Sequence, residues 1–130
     1  MTSAALLLQP ESNPALYVSA VLTLYIDLPD TPLRANAQDQ WLARKLHEQA
    51  APLALVESAL LLASLRRLVR PADLPPLPRI RSLAYFQPVI AELQKQPLPD
   101  SYLDYLRLKL RSLGKDLPAK VQKNTFSEDR

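Results

Sequence analysis

The sequence predicts an all-α domain of about five helices, packed as a compact orthogonal bundle around one buried central helix. Three observations carry this. Apolar residues recur at helical spacing over segments too long for typical strands. Thirteen prolines fall mostly between those segments, where they read as helix punctuation. Glycine is represented by Gly114 alone, and the tight turns of β-hairpins depend on glycine. At 130 residues the chain is the size of one domain. The expected organisation is a loose leader over 1–13, a helical domain over 14–114 and a polar, basic tail over 115–130.

Pro14 suits the first position of a helix. From there Leu16, Tyr17, Ala20, Val21, Leu24, Tyr25 and Leu28 repeat with a helical period, and Ser19, Thr23 and Asp27 form one polar stripe. Val18, Leu22, Leu24 and Ile26 also fit strand alternation, but the length of the segment favours helix. The run Leu28-Pro29-Asp30-Thr31-Pro32 breaks it. A second helix starts at Asn36, a good N-cap, with Asp39 in the favourable first turn. It is expected to turn Trp41, Leu42 and Leu46 inward and to end before Pro52. The third helix, about Leu53 to Val69, is apolar nearly all round, with Val56, Leu60, Leu61, Leu62, Leu65 and Leu68. A helix without a polar face belongs in the middle of a core.

Pro71, Pro75, Pro76 and Pro78 punctuate the stretch from Arg70 to Arg81, which predicts an extended, stiff connection. Ser82 can cap a fourth helix reaching Gln96, with Pro88 kinking it or moving its start. After Pro97-Leu98-Pro99, Asp100 or Ser101 caps a fifth helix whose Leu103, Leu106, Leu110 and Leu113 form one stripe. Gly114 is the natural stop.

Several functions are excluded by residue type. Without cysteine there is no disulfide, thiolate nucleophile or thiolate metal site, and that absence fits a reducing cytoplasm. His47 is the only histidine. It cannot assemble a metal site alone and reads as solvated. One glycine rules out a phosphate-cradling loop. The carboxylate pairs Asp100/Asp104 and Asp27/Asp30 read as caps, turns and a partner for Arg107 rather than an acid/base pair. No apolar run reaches the roughly 20 residues of a membrane span, and no basic residue precedes Leu6-Leu7-Leu8 as a signal peptide requires. The expectation is a chain without catalytic role, metal or cofactor.

Charge is the informative feature. Residues 1–65 hold three basic and six acidic groups, whereas residues 66–130 hold thirteen and seven. Arg66, Arg67, Arg70, Arg79 and Arg81 flank the proline connection, with Asp73 the one acid nearby in sequence. Arginine's planar fork suits phosphate. Lys115, Lys120 and Lys123 extend the basic half. These eight residues are the candidates for non-specific DNA contact. Arg66, Arg67 and Arg70 also complement a helix C-terminus. Tyr102 and Tyr105, on the last helix, are the candidates for contact with a protein partner or a second copy.

From Leu46 to Pro52, through Val56-Glu57-Ser58-Ala59-Leu60, to Ile80-Arg81-Ser82-Leu83-Ala84-Tyr85-Phe86 and Val89-Ile90, the chain resembles the helical C-terminal domain of DnaD-type replication-initiation proteins. It also resembles replication-region proteins of bacterial mobile elements. The resemblance covers about Asn36 to Leu93. Ala50-Ala51 stands where that pattern has a glycine-like turn. The resemblance implies DNA binding and support of helicase loading, with Tyr85, Phe86, Ile90 and the neighbouring arginines carrying it. The reading that follows is a DNA-associated accessory protein. The alternative is a helical protein-interaction module that binds no nucleic acid.

Overall fold

The computed structural model describes residues 10–114, and side chains over 11–113. Five α-helices follow a short 3-10 turn at Pro10–Ser12: α1 Pro14–Ile26, α2 Ala37–Glu48, α3 Leu53–Leu68, α4 Gln87–Lys95 and α5 Asp100–Gly114. A second 3-10 turn, Leu83–Phe86, leads into α4. No strand occurs among the described residues. Helix α3 is the centre. It packs against α1, α4 and α5, and α2 closes over α1. Val56, Ala59, Leu60, Leu61, Ala63 and Leu65 of α3 are buried together with Tyr17, Val21, Tyr25, Phe86 and Leu106.

The helix ends follow from local chemistry. The Asn13 side chain accepts from the backbone N–H groups of Ala15 and Leu16, and Pro14 fills the first helical position. Asn36 and Asp39 form a reciprocal capping box at the start of α2. Asp39 goes further. It is fully buried, and its second oxygen accepts from the backbone N–H of Leu83 at 2.9 Å, fixing the turn before α4. Ser82 caps that turn, and Pro88 sits in the first turn of α4, so the proline shifts the helix start without kinking the helix.

Four expectations are corrected. Trp41 points outward, 58% exposed, and meets Lys45 across its ring face at 5.6 Å. The buried positions of α2 are Asp39, Leu42, Ala43 and Leu46, whose i, i+3, i+4, i+7 spacing leaves Trp41 off the inward face. His47 is not a freely solvated side chain. Its ring meets Tyr17 edge-on at 5.0 Å and its Nε2 lies 3.1 Å from the Glu11 carbonyl oxygen. The end of the expected leader is packed, because the Glu11 carboxylate accepts from the backbone N–H of Leu53 at 3.2 Å. That acceptor serves a helix whose N-cap, Pro52, offers no side-chain bond. Asp100 lies inside the first turn of α5 and is not its cap.

The turn at Ala50 is of the glycine type although no glycine is present. Ala51 N–H donates to the Leu46 carbonyl and Ala50 N–H to the His47 carbonyl, the paired bonds of a Schellman motif. Ala50 therefore carries φ of 60°, a conformation that costs a residue with a Cβ about 1–2 kcal/mol. Ala50→Gly removes that strain at some cost in unfolded-state entropy. The expected result in urea unfolding is a gain of about 0.5–1 kcal/mol; a loss would contradict the turn.

Two buried tyrosines make stability depend on alkali. Burial pushes the Tyr17 hydroxyl up to about 12, with Glu11 adding to it, and its proton is donated to the Ala51 carbonyl at 2.8 Å. Burial also raises Tyr25, with Asp39 adding to it, and its hydroxyl has no hydrogen-bond partner among the described residues. Unfolded tyrosine titrates near pH 10. Between about pH 10 and 12 the folded state keeps protons that the unfolded state has lost, so stability falls as pH rises. The expected slope approaches about 1.4 kcal/mol per pH unit for each tyrosine. Tyr25→Phe should flatten this dependence in melts taken from pH 8 to 11. An unchanged profile would place Tyr25 outside the core.

Candidate functional site

The last turn of α3 delivers Arg66 and Arg67, where cations complement the partial negative charge of the helix end. Arg66 forms a two-pronged pair with Glu92 of α4, at 2.9 and 2.7 Å. These hydrogen bonds hold the Glu92 carboxyl below its usual range and raise the Arg66 pKa. Arg67 is an internal tie. It donates to Asp30 at 2.8 Å, to the Pro78 carbonyl at 2.9 Å and to the Tyr85 hydroxyl at 3.1 Å, and it lies over the Tyr85 ring. Burial opposes the Arg67 charge, but its hydrogen bonds to Tyr85 and Asp30 outweigh this and raise its pKa. Its side chain is 10% exposed.

Asp30 is the counterpart of this tie. It lies in the left-handed region at φ 67°, which aspartate tolerates, and that turn aims its carboxylate at Arg67. Its backbone carbonyl accepts from Ile80 N–H at 3.0 Å. One residue between α1 and α2 thus pins both the end of α3 and the proline-rich arm, the connection from Arg70 to Arg81.

The connection expected to be extended from Arg70 to Arg81 is not extended throughout. Pro71 to Leu74 is a turn closed by a 3.2 Å bond from Leu74 N–H to the Pro71 carbonyl. Arg70 folds back onto the arm, donating from Nε and Nη2 to the Pro75 carbonyl at 3.3 and 3.2 Å. Arg79 lies 3.9 Å from Asp30 but is 70% exposed. Arg81 is exposed and has no ion pair among the described residues. The five arginines of the sequence cluster therefore divide: Arg66 and Arg67 are committed internally, Arg70 caps a carbonyl, and Arg79 and Arg81 face outward.

Two clefts flank the arm. The larger, about 370 Å³, lies between the Pro29–Asp30 turn, the end of α3 and the arm. The other, about 320 Å³, lies between α3, Tyr85 and Val89. Arg67, Arg70 and Leu77 line both. Leu74, Leu77 and Tyr85 are exposed in their linings. On the floor of the larger cleft lies Ser64, 2% exposed, whose hydroxyl has no partner among the described residues.

The other candidates are not brought here. Lys115, Lys120 and Lys123 lie outside the described residues. Tyr102 and Tyr105 are exposed on α5, with ring centroids 5.2 Å apart. Leu103, on the same helix, borders Ala54, Leu55 and Ser58 in the first half of α3. Arg107 pairs with Glu57 there, both bonds being 2.8 Å, and with Asp104 at 3.3 Å. Glu57 and Arg66 are separated by about 14 Å along α3 at 1.5 Å per residue, so the tyrosines flank the other end of that helix. Phe86 and Ile90 are buried. Of the residues implied by the family resemblance, Tyr85 alone reaches the surface beside the arginines.

No group of three or more histidine, aspartate or glutamate residues close enough to hold a metal occurs among the described residues. No described helix is long and apolar enough to cross a membrane. Compared with models of known protein families, with curated proteins and with solved structures, the chain finds no match.

Proposed function

We propose that this chain is a helical protein-interaction module, acting without a catalytic step in a reducing cytoplasm, and that it docks partners on the face formed by the end of α3 and the proline arm. One observation carries this reading. Exposed Leu74, Leu77 and Tyr85 line two clefts whose shared wall contains Arg67, already bonded within the chain. Exposed apolar side chains gathered around concave surface are a feature of binding sites. A phosphate-binding surface needs the opposite, a row of unspent cations.

Arg79 and Arg81 favour a second reading, non-specific association with DNA, because both are exposed on the same arm. Replication initiation and mobile elements enter through the DnaD-type pattern alone. Affinity capture from the cells of origin, after cross-linking, separates the two. A stoichiometric protein partner held by the wild type and lost from a Leu74→Asp/Leu77→Asp variant supports protein docking. Recovery dominated by nuclease-sensitive material overturns it in favour of DNA.

A further inference from the structure

The larger cleft holds one cation with no counter-ion. Arg66 is paired with Glu92 and Arg67 with Asp30, while Arg79, 3.9 Å from the same Asp30, does not line the cleft. Arg70 lines the cleft, is half-buried, and makes no ion pair among the described residues. Two of its N–H groups share one carbonyl, at 3.3 and 3.2 Å, and its Nη1 makes no hydrogen bond among the described residues. Guanidinium is a five-donor fork that matches a carboxylate. The second unspent group is the buried Ser64 hydroxyl on the floor. Buried hydroxyls nearly always have a partner, and one without is an anomaly. The remaining lining is apolar, with Leu68, Leu74 and Leu77 among it.

These features fix a chemistry. We propose that this cleft seats an acidic peptide segment of a partner protein, an apolar side chain entering between Leu68, Leu74 and Leu77 and a carboxylate bonding Arg70. This rests on the protein-interaction reading above and names what the partner must carry. The volume, about 370 Å³, lies at the lower end of the range for ligand pockets; it suits a few side chains, not a whole helix. Arg67, Arg70 and Leu77 form the wall shared with the second cleft. A nucleic-acid backbone finds one free cation here, set among leucines. The Ser64 hydroxyl is buried beneath this lining, so Arg70 is the polar anchor of the seat.

The test sorts a random-heptamer phage library on the full chain and then synthesises the enriched peptides. Enriched peptides should pair a leucine-class residue with aspartate, glutamate or a free C-terminal carboxylate. Changing that acid to its amide, or Arg70→Gln, should weaken binding roughly tenfold to a hundredfold, the range for one charge-assisted hydrogen-bonded contact. Ser64→Ala should leave the free chain no less stable, because its buried hydroxyl has no partner among the described residues. Melting curves confirm that both variants fold. Enriched peptides without a carboxylate that still need Leu77 would overturn the acidic partner and leave the docking face intact. Peptide binding indifferent to both Leu77→Ser and Arg70→Gln, or no enrichment at all, would remove the cleft as a site. Octanoate binding in the cleft, read by shifts of its backbone amides, without any peptide binding would assign it to small acids instead.

Discussion

Leu60→Asp unfolds the domain. Leu60 is fully buried in α3, the helix against which three of the others pack. The substitution removes a leucine from the core, which alone costs about 2–5 kcal/mol. It also puts a carboxylate where nothing can pair with it, adding several kcal/mol or forcing it to bind a proton. The total matches or exceeds the roughly 5–15 kcal/mol that holds a domain folded. Circular dichroism should show loss of most helix at 25 °C. Leu60→Met, which nearly conserves volume, should cost less than about 1.5 kcal/mol and fold. A folded, cooperatively melting Leu60→Asp chain would displace α3 from the centre.

Arg67→Gln should lower stability by about 2 kcal/mol, whereas Arg81→Gln should stay within about 0.5 kcal/mol of the parent. Arg67 joins three parts of the chain, through Asp30, Pro78 and Tyr85. Glutamine is too short and has too few donors to replace these bonds, and Asp30 loses its principal counter-ion. Asp30 is about one-third exposed, so solvent screening keeps the figure well below that of a fully buried pair. Arg81 is exposed and unpaired among the described residues. Urea unfolding of the two variants is the measurement. Equal costs would mean that Arg67 is a surface cation like its neighbour.

This contrast shows what the sequence discloses. Periodicity and proline placement are local, and they suffice for five helices, for the outward stripe of Ser19, Thr23 and Asp27 and for the central place of Val56 to Leu68, although burial in that segment stops at Leu65 and Arg66 is exposed. Trp41 misleads because it is judged by its own hydrophobicity. The phase of α2 is set by Asp39, Leu42, Ala43 and Leu46, and it admits a buried carboxylate because Leu83 N–H meets it. That meeting spans 44 residues and leaves no local trace. The arginine cluster hides its state for the same reason. Asp73, the nearest acid in sequence, makes none of its ion pairs, while Glu92 and Asp30, at separations of 26 and 37 residues, do. The turn at Asp30, between two prolines, was visible; its role as an anchor for Arg67 and Ile80 required the fold. Ser64 and the clefts have no signature in one dimension, since they arise where the arm returns over α3.

The proposed docking face is framed by an arginine cluster that is largely bonded within the chain. Fluorescence anisotropy with a labelled 20-base-pair duplex tests it most directly, at 50 and 200 mM salt. The wild type is compared with a variant in which Arg66, Arg70, Arg79 and Arg81 become Gln, Arg67 being kept because it is structural. The two should bind alike, with a salt slope that the substitutions leave unchanged. Loss of binding in the variant, with the slope of log affinity against log salt falling by about three to four units at roughly 0.9 per phosphate contact, would contradict it and make the face a surface for DNA.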